Sequence, residues 1–344
     1  MCNRKQRFFA TFACAAGLTA AICTASGAAD LERVRVADQR AGSDGPIYIA
    51  DAKGYFREEG IAVELLPFNA GAQMITPLGI GELDVGGGLT SAAFYNAVSR
   101  GVKVKVVAGR TRIAAGDRYM VLAIRKELVD KGLFKSLADL KGRKIALPAA
   151  GAAGASILNE AAKAGGVAYG AIGKVYLGFA EQLAAFRNGA IDGAIPPEPY
   201  VSSLIDAKLA VPFVSVGDFY PDYQNALVFF SEKFATVRRD VAVRFLRAYL
   251  RGMLDYQHAT ADGRYKSGAS ADEIVRIVAA GMHVPEKLLR ETHTPVADWQ
   301  LHLASMRKDL EFFKAQGTVT DAAVTVESNV DLSLLQAALK DLGL

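Results

Sequence analysis

The stretch Val34–Leu66, VRVADQRAGSDGPIYIADAKGYFREEGIAVELL, contains a complete strand–helix–strand unit and decides the fold class. Val34-Arg35-Val36-Ala37 alternates apolar and polar positions, which is the period of a strand. Pro46 to Tyr55 reads as a helix, with the proline suited to its first turn and Gly54 to its end. Val63-Glu64-Leu65-Leu66 then returns to strand. The same rhythm continues outward: Ala72 to Ile80 as helix, Leu83-Asp84-Val85 as strand, Ser91 to Ser99 as helix closed by Gly101, and Val102 to Val107 as strand. Strands alternating with helices predict an α/β protein whose sheet is mostly parallel and covered by helices.

A second round starts near Tyr119. Met120 to Ile124, Lys144 to Leu147, Val175 to Leu177, Ile191 to Ile195 and Val211 to Val216 read as strands, and Ala155 to Ala164 as a helix. From Val237 onward the pattern is helical: Val237 to His258, Ala271 to Met282 behind a Ser270-x-x-Glu273 capping box, Val296 to Ala315, and Leu332 to Leu342. An internal echo joins the two rounds. Gly81-Glu82-Leu83-Asp84 and Gly189-Ala190-Ile191-Asp192 each follow a helix, where glycine can end it in a left-handed conformation before the next strand. No proline- or serine-rich linker parts the halves, so two lobes would be joined through strand crossovers.

The chain has 344 residues, 51% of them hydrophobic, and a formal charge of +4. Apolar residues are too plentiful for disorder, and no period or biased tract suggests collagen or a coiled coil. Setting aside Arg4, Lys5 and Arg7 reduces the charge to +1, without the clustered basic footprint a nucleic-acid surface needs. Those three residues open a segment, 1–29, with the layout of a cleaved secretory signal. A basic start is followed by an apolar Phe8 to Ile22 and by the small residues Ser26-Gly27-Ala28-Ala29. Cys2, Cys14 and Cys23 all lie within it, so the expected mature chain, in the periplasm, has no cysteine for disulfides, thiolate metal sites or nucleophilic catalysis.

Ligands of open parallel sheets bind beyond the carboxyl ends of the strands. Four turn-rich loops occupy such positions: Asp38 to Pro46, Asn69 to Gln73, Gly86 to Ser91, and Pro148 to Ser156. Each opens a helix whose backbone N–H groups and dipole suit a small polar or anionic ligand. Arg40, Arg110, Arg112 and Arg118 flank strand ends, and Arg40 or Arg110 is the expected clamp for a carboxylate or sulfonate. Catalytic patterns are weak. Gly154-Ala155-Ser156-Ile157-Leu158 lacks the last glycine of a nucleophile elbow, and Gly86-Gly87-Gly88 is neither a phosphate-binding nor a dinucleotide loop. His258, His283, His293 and His302 have no metal-ligand spacing. No enzyme activity, metal or cofactor is expected, although the carboxylates Asp192 and Glu198 lie near strand ends.

Pro46–Ile61 (PIYIADAKGYFREEGI), with Phe68–Ala72 (FNAGA), Gly81–Gly86 (GELDVG), Gly101–Ala108 (GVKVKVVA) and Leu137–Ala146 (LADLKGRKIA), resembles the periplasmic substrate-binding proteins of nitrate-, sulfonate- and taurine-type ABC transporters. The resemblance implies a type II two-lobe clamshell, each lobe a mixed, mostly parallel sheet flanked by helices, with a helical C-terminal tail. The expected lobes are 30–113 with 218–344, and 114–217. The resemblance also implies a small-molecule ligand, sulfonate- or carboxylate-like, delivered by a monomer to an ABC permease. Its contacts would fall on Gln39, Arg40, Ser43, Asp44, Gly71, Ala72, Gln73, Gly88, Leu89, Thr90, Ser91, Arg110, Gly151, Gly154 and Ser156. The family's Trp-acidic-Pro-aromatic segment corresponds to Pro197-Glu198-Pro199-Tyr200, which adds Glu198 and Tyr200 and lacks the tryptophan. Alternatives are a pyrimidine-precursor-like heterocycle as ligand, a ligand sensor, or an enzyme on the same fold.

Overall fold

The computed structural model describes residues 31–68 and 71–344. The expected export segment, and Asn69 and Ala70 of the second loop, lie outside them. Among the described residues the two main sheets are built from β1 Glu32–Asp38, β2 Ile61–Pro67, β3 Val85–Gly88, β4 Val104–Ile113, β5 Val121–Arg125, β6 Lys144–Leu147, β7 Gly173–Tyr176, β8 Gly193–Ala194, β9 Ala210–Ser215 and β10 Tyr223–Ser231, with one further short strand. The first sheet runs β4-β10-β3-β1-β2, with the short strand Val296–Ala297 outside β4, and the second runs β9-β5-β8-β6-β7.

The two orders are one pattern. β1, β2 and β3 are parallel to one another, as are β6, β7 and β8. Each sheet then takes one antiparallel strand in its interior, β10 in the first and β5 in the second, next to β3 or β8. Each antiparallel strand is supplied by the chain just after it crosses over from the other sheet.

The glycine–aspartate echo sits at matching places in this pattern. Gly81 and Gly189 have φ of 75° and 72°, so each ends its helix in the left-handed region. The Asp84 Oδ2 atom accepts the Arg35 backbone N–H at 2.9 Å, and Asp192 Oδ2 accepts that of Lys144 at 2.9 Å. Guanidinium groups complete both: Arg35 on Asp84 and Arg125 on Asp192, each with an Nη2–Oδ1 distance of 3.1 Å. A carboxylate thus ties the start of each short strand, β3 or β8, to its parallel neighbour.

Several elements differ from the sequence reading. β10 was not expected as a separate strand. All nine of its residues, YQNALVFFS, are buried because it is central and covered on both faces, so it carries no alternation. The expected third strand, Leu83–Val85, shifts to Val85–Gly88, and the glycine run becomes the strand itself. Gly87 allows this: a Cβ there would stand 2.4 Å from the guanidinium carbon of Arg110. The Pro46–Tyr55 helix ends at Ala52, and Ala72–Ile80 resolves into a 3₁₀ turn, Gly71–Met74, and a short helix, Ile75–Gly79. The Ser270–Glu273 box does not cap, since the helix starts two residues before the expected Ala271, at Ala269, with Gly268 at its N-cap. Val296 pairs with Arg112 as strand, and the helix expected from Val296 begins at Leu303. The helix expected from Val237 starts at Arg239 and runs to Ala259.

The two crossovers, 114–120 and 216–222, pack against each other. The Gly116 N–H donates to Asp218 Oδ1 at 2.9 Å, and an ideal Cβ on Gly217 would lie 1.7 Å from the Ala114 carbonyl oxygen. The Leu303–Ala315 helix lies beside this junction. Its Asp309 Oδ1 accepts Ser156 Oγ at 2.5 Å and Tyr220 Oη at 2.9 Å, while Phe312 meets Tyr169 edge-on at 5.1 Å. The C-terminal tail therefore touches both sheets' helices.

Complete burial pushes the Asp309 carboxyl up to about 7, against the lowering effect of its Ser156 and Tyr220 donors. The unfolded carboxyl titrates near 4. Between those values the folded chain holds more protons, so the stability Asp309 contributes is fully present below about pH 4 and is lost as pH rises through 7. At roughly 1.4 kcal/mol per pH unit, Asp309 supplies an upper limit of a few kcal/mol. Buried Asp44, also raised, adds the same sign. Urea unfolding from pH 4.5 to 8 should show this decline, and Asp309→Asn should flatten it; an unchanged slope in the variant would remove Asp309 as its source.

Candidate functional site

The carboxyl ends of β1, β3 and β4 converge on a buried charge cluster. Arg110 of β4 is 1% exposed and its Nη1 donates to Asp44, itself 1% exposed. The Nη2 group reaches the Gly86 carbonyl at 3.3 Å, whereas Nε has no hydrogen-bond partner among the described residues. Asp44 also accepts the backbone N–H groups of Gln39 and Ala41 at 3.1 and 3.2 Å, which fixes the 39–44 loop around the carboxylate. Burial raises the Asp44 carboxyl more than Arg110 lowers it. Beside it, Asp38 accepts the Tyr48 hydroxyl at 2.5 Å and the Arg40 N–H at 2.9 Å. Arg40 takes a left-handed φ of 53°, and its side chain is 49% exposed, with Nε 4.0 Å from Asp38 Oδ2.

The expected loops are placed unevenly. Gly88 and Gly71 approach closely, an ideal Gly88 Cβ lying 3.4 Å from the Gly71 Cα and 3.5 Å from Gln39 Oε1. Gln39, Gly71 and Gly88 are thus neighbours. Ser43 and Thr90 are buried, and Leu89 and Ser91 are half-buried; Ala72 and Gln73 lie on the 3₁₀ turn, with Gln73 exposed. Ser91 caps the Ala92–Ser99 helix by accepting the Phe94 N–H. The first N–H of that helix, on Ala92, donates to Gly151 O at 3.0 Å across from the second sheet. The β3 and β6 loops therefore touch directly.

In the second lobe, Gly154 lies against Leu147 and Pro148. Ser156 turns toward Asp309 rather than toward Arg110. Tyr200 stacks obliquely on Phe179 at 5.4 Å. Buried Glu198 accepts the Ser202 N–H and Oγ, both at 2.9 Å, and the His293 N–H at 3.3 Å. Its own N–H donates to the Tyr119 carbonyl at 2.8 Å. Burial raises the Glu198 carboxyl above its ordinary range.

A cavity of about 20 Å³ lies where these parts meet, lined among others by Gly42, Tyr119, Glu198, Tyr256, Tyr265 and His293. In the sequence reading Tyr119, Tyr256 and Tyr265 have no site role, and His293 figures only as a histidine without metal-ligand spacing. No local motif joins them, and three come from the segment taken as a packing tail. Among the described residues no group of three or more His, Cys, Asp or Glu is placed to hold a metal, and no helix is long and apolar enough to cross a membrane.

The family model described as NMT1/THI5 like matches residues 43–262, from the Asp44 loop to the hairpin after the Arg239–Ala259 helix. The chain belongs to this NMT1/THI5-like family. A Brucella abortus (strain 2308) protein described as a binding protein is 26% identical over 212 residues, which cover 61% of this chain and 62% of that relative's length. The alkanesulfonate-binding protein SsuA of Xanthomonas axonopodis, bound to MOPS, superposes with a TM-score of 0.68 at 18% identity, covering 88% of this chain and 99% of that one. The periplasmic nitrate-binding protein NrtA of Synechocystis gives 0.69 at 14%, covering 91% and 89%. At these identities the likeness is one of fold: this NMT1/THI5-like chain has the two-lobe architecture of periplasmic binding proteins.

Proposed function

We propose that the protein is an extracytoplasmic solute-binding protein of an ABC import system. It captures one small organic ligand between two lobes, 30–113 with 218–344 and 114–217, and delivers it as a monomer to a permease without chemical change. The observation that carries this reading is the contact at Ala92–Gly151. It brings together the carboxyl-end loops of both sheets, the edges at which open α/β sheets bind ligands. The named neighbours bind an alkanesulfonate-type ligand or nitrate, which supports a sulfonate- or carboxylate-like group on the ligand. Arg110 already donates to Asp44, so the anionic end falls to half-exposed Arg40 and to the backbone of the Gln39–Asp44 and Gly88–Ser91 loops. Lobe closure places Gly151, Gly154 and Glu198 opposite them. Export by a cleaved signal segment completes the reading. Native mass spectrometry after exposure to a metabolite extract tests it, with outcomes given at the end of the Discussion.

A further inference from the structure

The cavity beside Glu198 has a chemistry of its own. Its walls are Tyr119 and the neighbouring pair Tyr256 and Tyr265, with Leu288, Leu289, Pro199 and Pro295 supplying apolar surface. Tyr256 and Tyr265 meet edge to face at 5.8 Å and 74°, which makes a corner of two rings. The Tyr256 hydroxyl is buried, with the residue 1% exposed, and lies within reach of Tyr265 and Thr294.

Carboxylates and guanidinium groups both surround the cavity, with Arg290 near Tyr265 and Arg264 near Glu198. Glu198 lines it, and Tyr119 senses Asp44, Glu198 and Asp117, all three buried. On the positive side, Arg264 commits Nη1 to the Glu291 carbonyl at 3.0 Å and Nη2 to His293 Nε2 at 3.0 Å. A guanidinium only donates, so that contact makes Nε2 an acceptor and leaves His293 neutral. Burial, with Arg264 and Arg118 adding, also lowers His293. Arg118 is exposed to solvent, where its field is screened. Rings and a carboxylate around a water-sized space suit a compact cation, through ring quadrupoles and a charge-assisted hydrogen bond. An anion there would face Glu198 with no free buried cation.

We infer that the tyrosine cavity takes an ammonium headgroup, held by Glu198 and by Tyr119, Tyr256 and Tyr265. The inference rests on the solute-binding reading and adds a positively charged end to the ligand. A space of about 20 Å³ accepts a group the size of a water molecule, so a primary ammonium fits. The rest of the ligand extends toward the Arg40 loop.

Calorimetric titration of the full mature chain with paired probes tests this. Ethanolamine is matched with isethionate, and benzylamine with benzenesulfonate, so each pair shares a stem and differs in charge. The amine of at least one pair is expected to bind more tightly than its anion. Glu198→Gln should weaken that amine by about tenfold or more, as removal of a buried charge partner does. Tyr265→Leu should weaken it severalfold by deleting one ring, and it serves as the test if Glu198→Gln fails to fold. Amine binding unchanged in both variants overturns the assignment. Tighter binding of the anions overturns it while leaving the solute-binding reading intact. Binding of neither class overturns both.

Discussion

Arg110→Met will destabilise the protein by about 3–5 kcal/mol, the cost of breaking a buried ion pair by removing one partner. Asp44 is 1% exposed and keeps only the Gln39 and Ala41 N–H groups once the guanidinium is gone. Water cannot reach it to compensate, so the carboxylate must either remain charged in a poor medium or take up a proton. Burial already raises Asp44 with Arg110 present, and removing Arg110 raises it further. The loss should therefore shrink as pH falls, because the variant's Asp44 protonates. A second substitution sharpens the case. In Asp44→Asn/Arg110→Met both charges are absent, and replacing a buried pair by uncharged groups is often close to neutral. Urea unfolding of the four chains gives the coupling directly. A single Arg110→Met within about 1 kcal/mol of wild type would show that Asp44 is not the isolated charge described above.

Gly217→Ala will have an effect of similar size for a steric reason. An added Cβ would lie 1.7 Å from the Ala114 carbonyl oxygen and 2.5 Å from its carbon, and both belong to backbone. Neither crossover can yield easily, since Asp117 N–H bonds back to Ala114 O and Gly116 N–H to Asp218. Overpacking against rigid backbone typically costs about 1–3 kcal/mol, and a contact this short belongs at or beyond the upper end. The control is Gly170→Ala, where the added methyl meets nothing within 4 Å and should change stability by under about 0.5 kcal/mol. Melting temperatures of the two variants suffice. Equal values would mean that the crossovers do not pack as tightly as this contact requires.

How much of the fold shows in the sequence depends on whether a strand has one exposed face. β1 and the Pro46 helix follow their periods, and the glycine–aspartate echo marks matching turns in the two sheets because a local backbone need dictates both residues. β10 lies in the middle of its sheet with both faces covered, so its apolar run carries no period. Gly86–Gly88 reads as loop by composition, yet the strand needs glycine there because Arg110 and Leu78 occupy the space of two side chains. For the site, the strand-end rule points to the loops at one edge of the first sheet, but charge at Arg110 says nothing about its partner. Asp44 lies 66 positions away and removes it as a free clamp. Ser156, in a glycine-rich helix start, is drawn off by Asp309 from a segment with no local link to it. Tyr119, Tyr256 and Tyr265 meet only through tertiary packing, which spacing along the chain does not encode.

The account rests on one claim, that the cleft holds a single small solute and releases it unchanged. Native mass spectrometry of the purified mature protein, incubated with a metabolite extract and then desalted, measures this without advance knowledge of the ligand. The predicted result is one adduct of a single small-molecule mass at one-to-one stoichiometry, released intact on denaturation, with no new product accumulating in the extract. No adduct, or a bound mass that is converted over time, would contradict it.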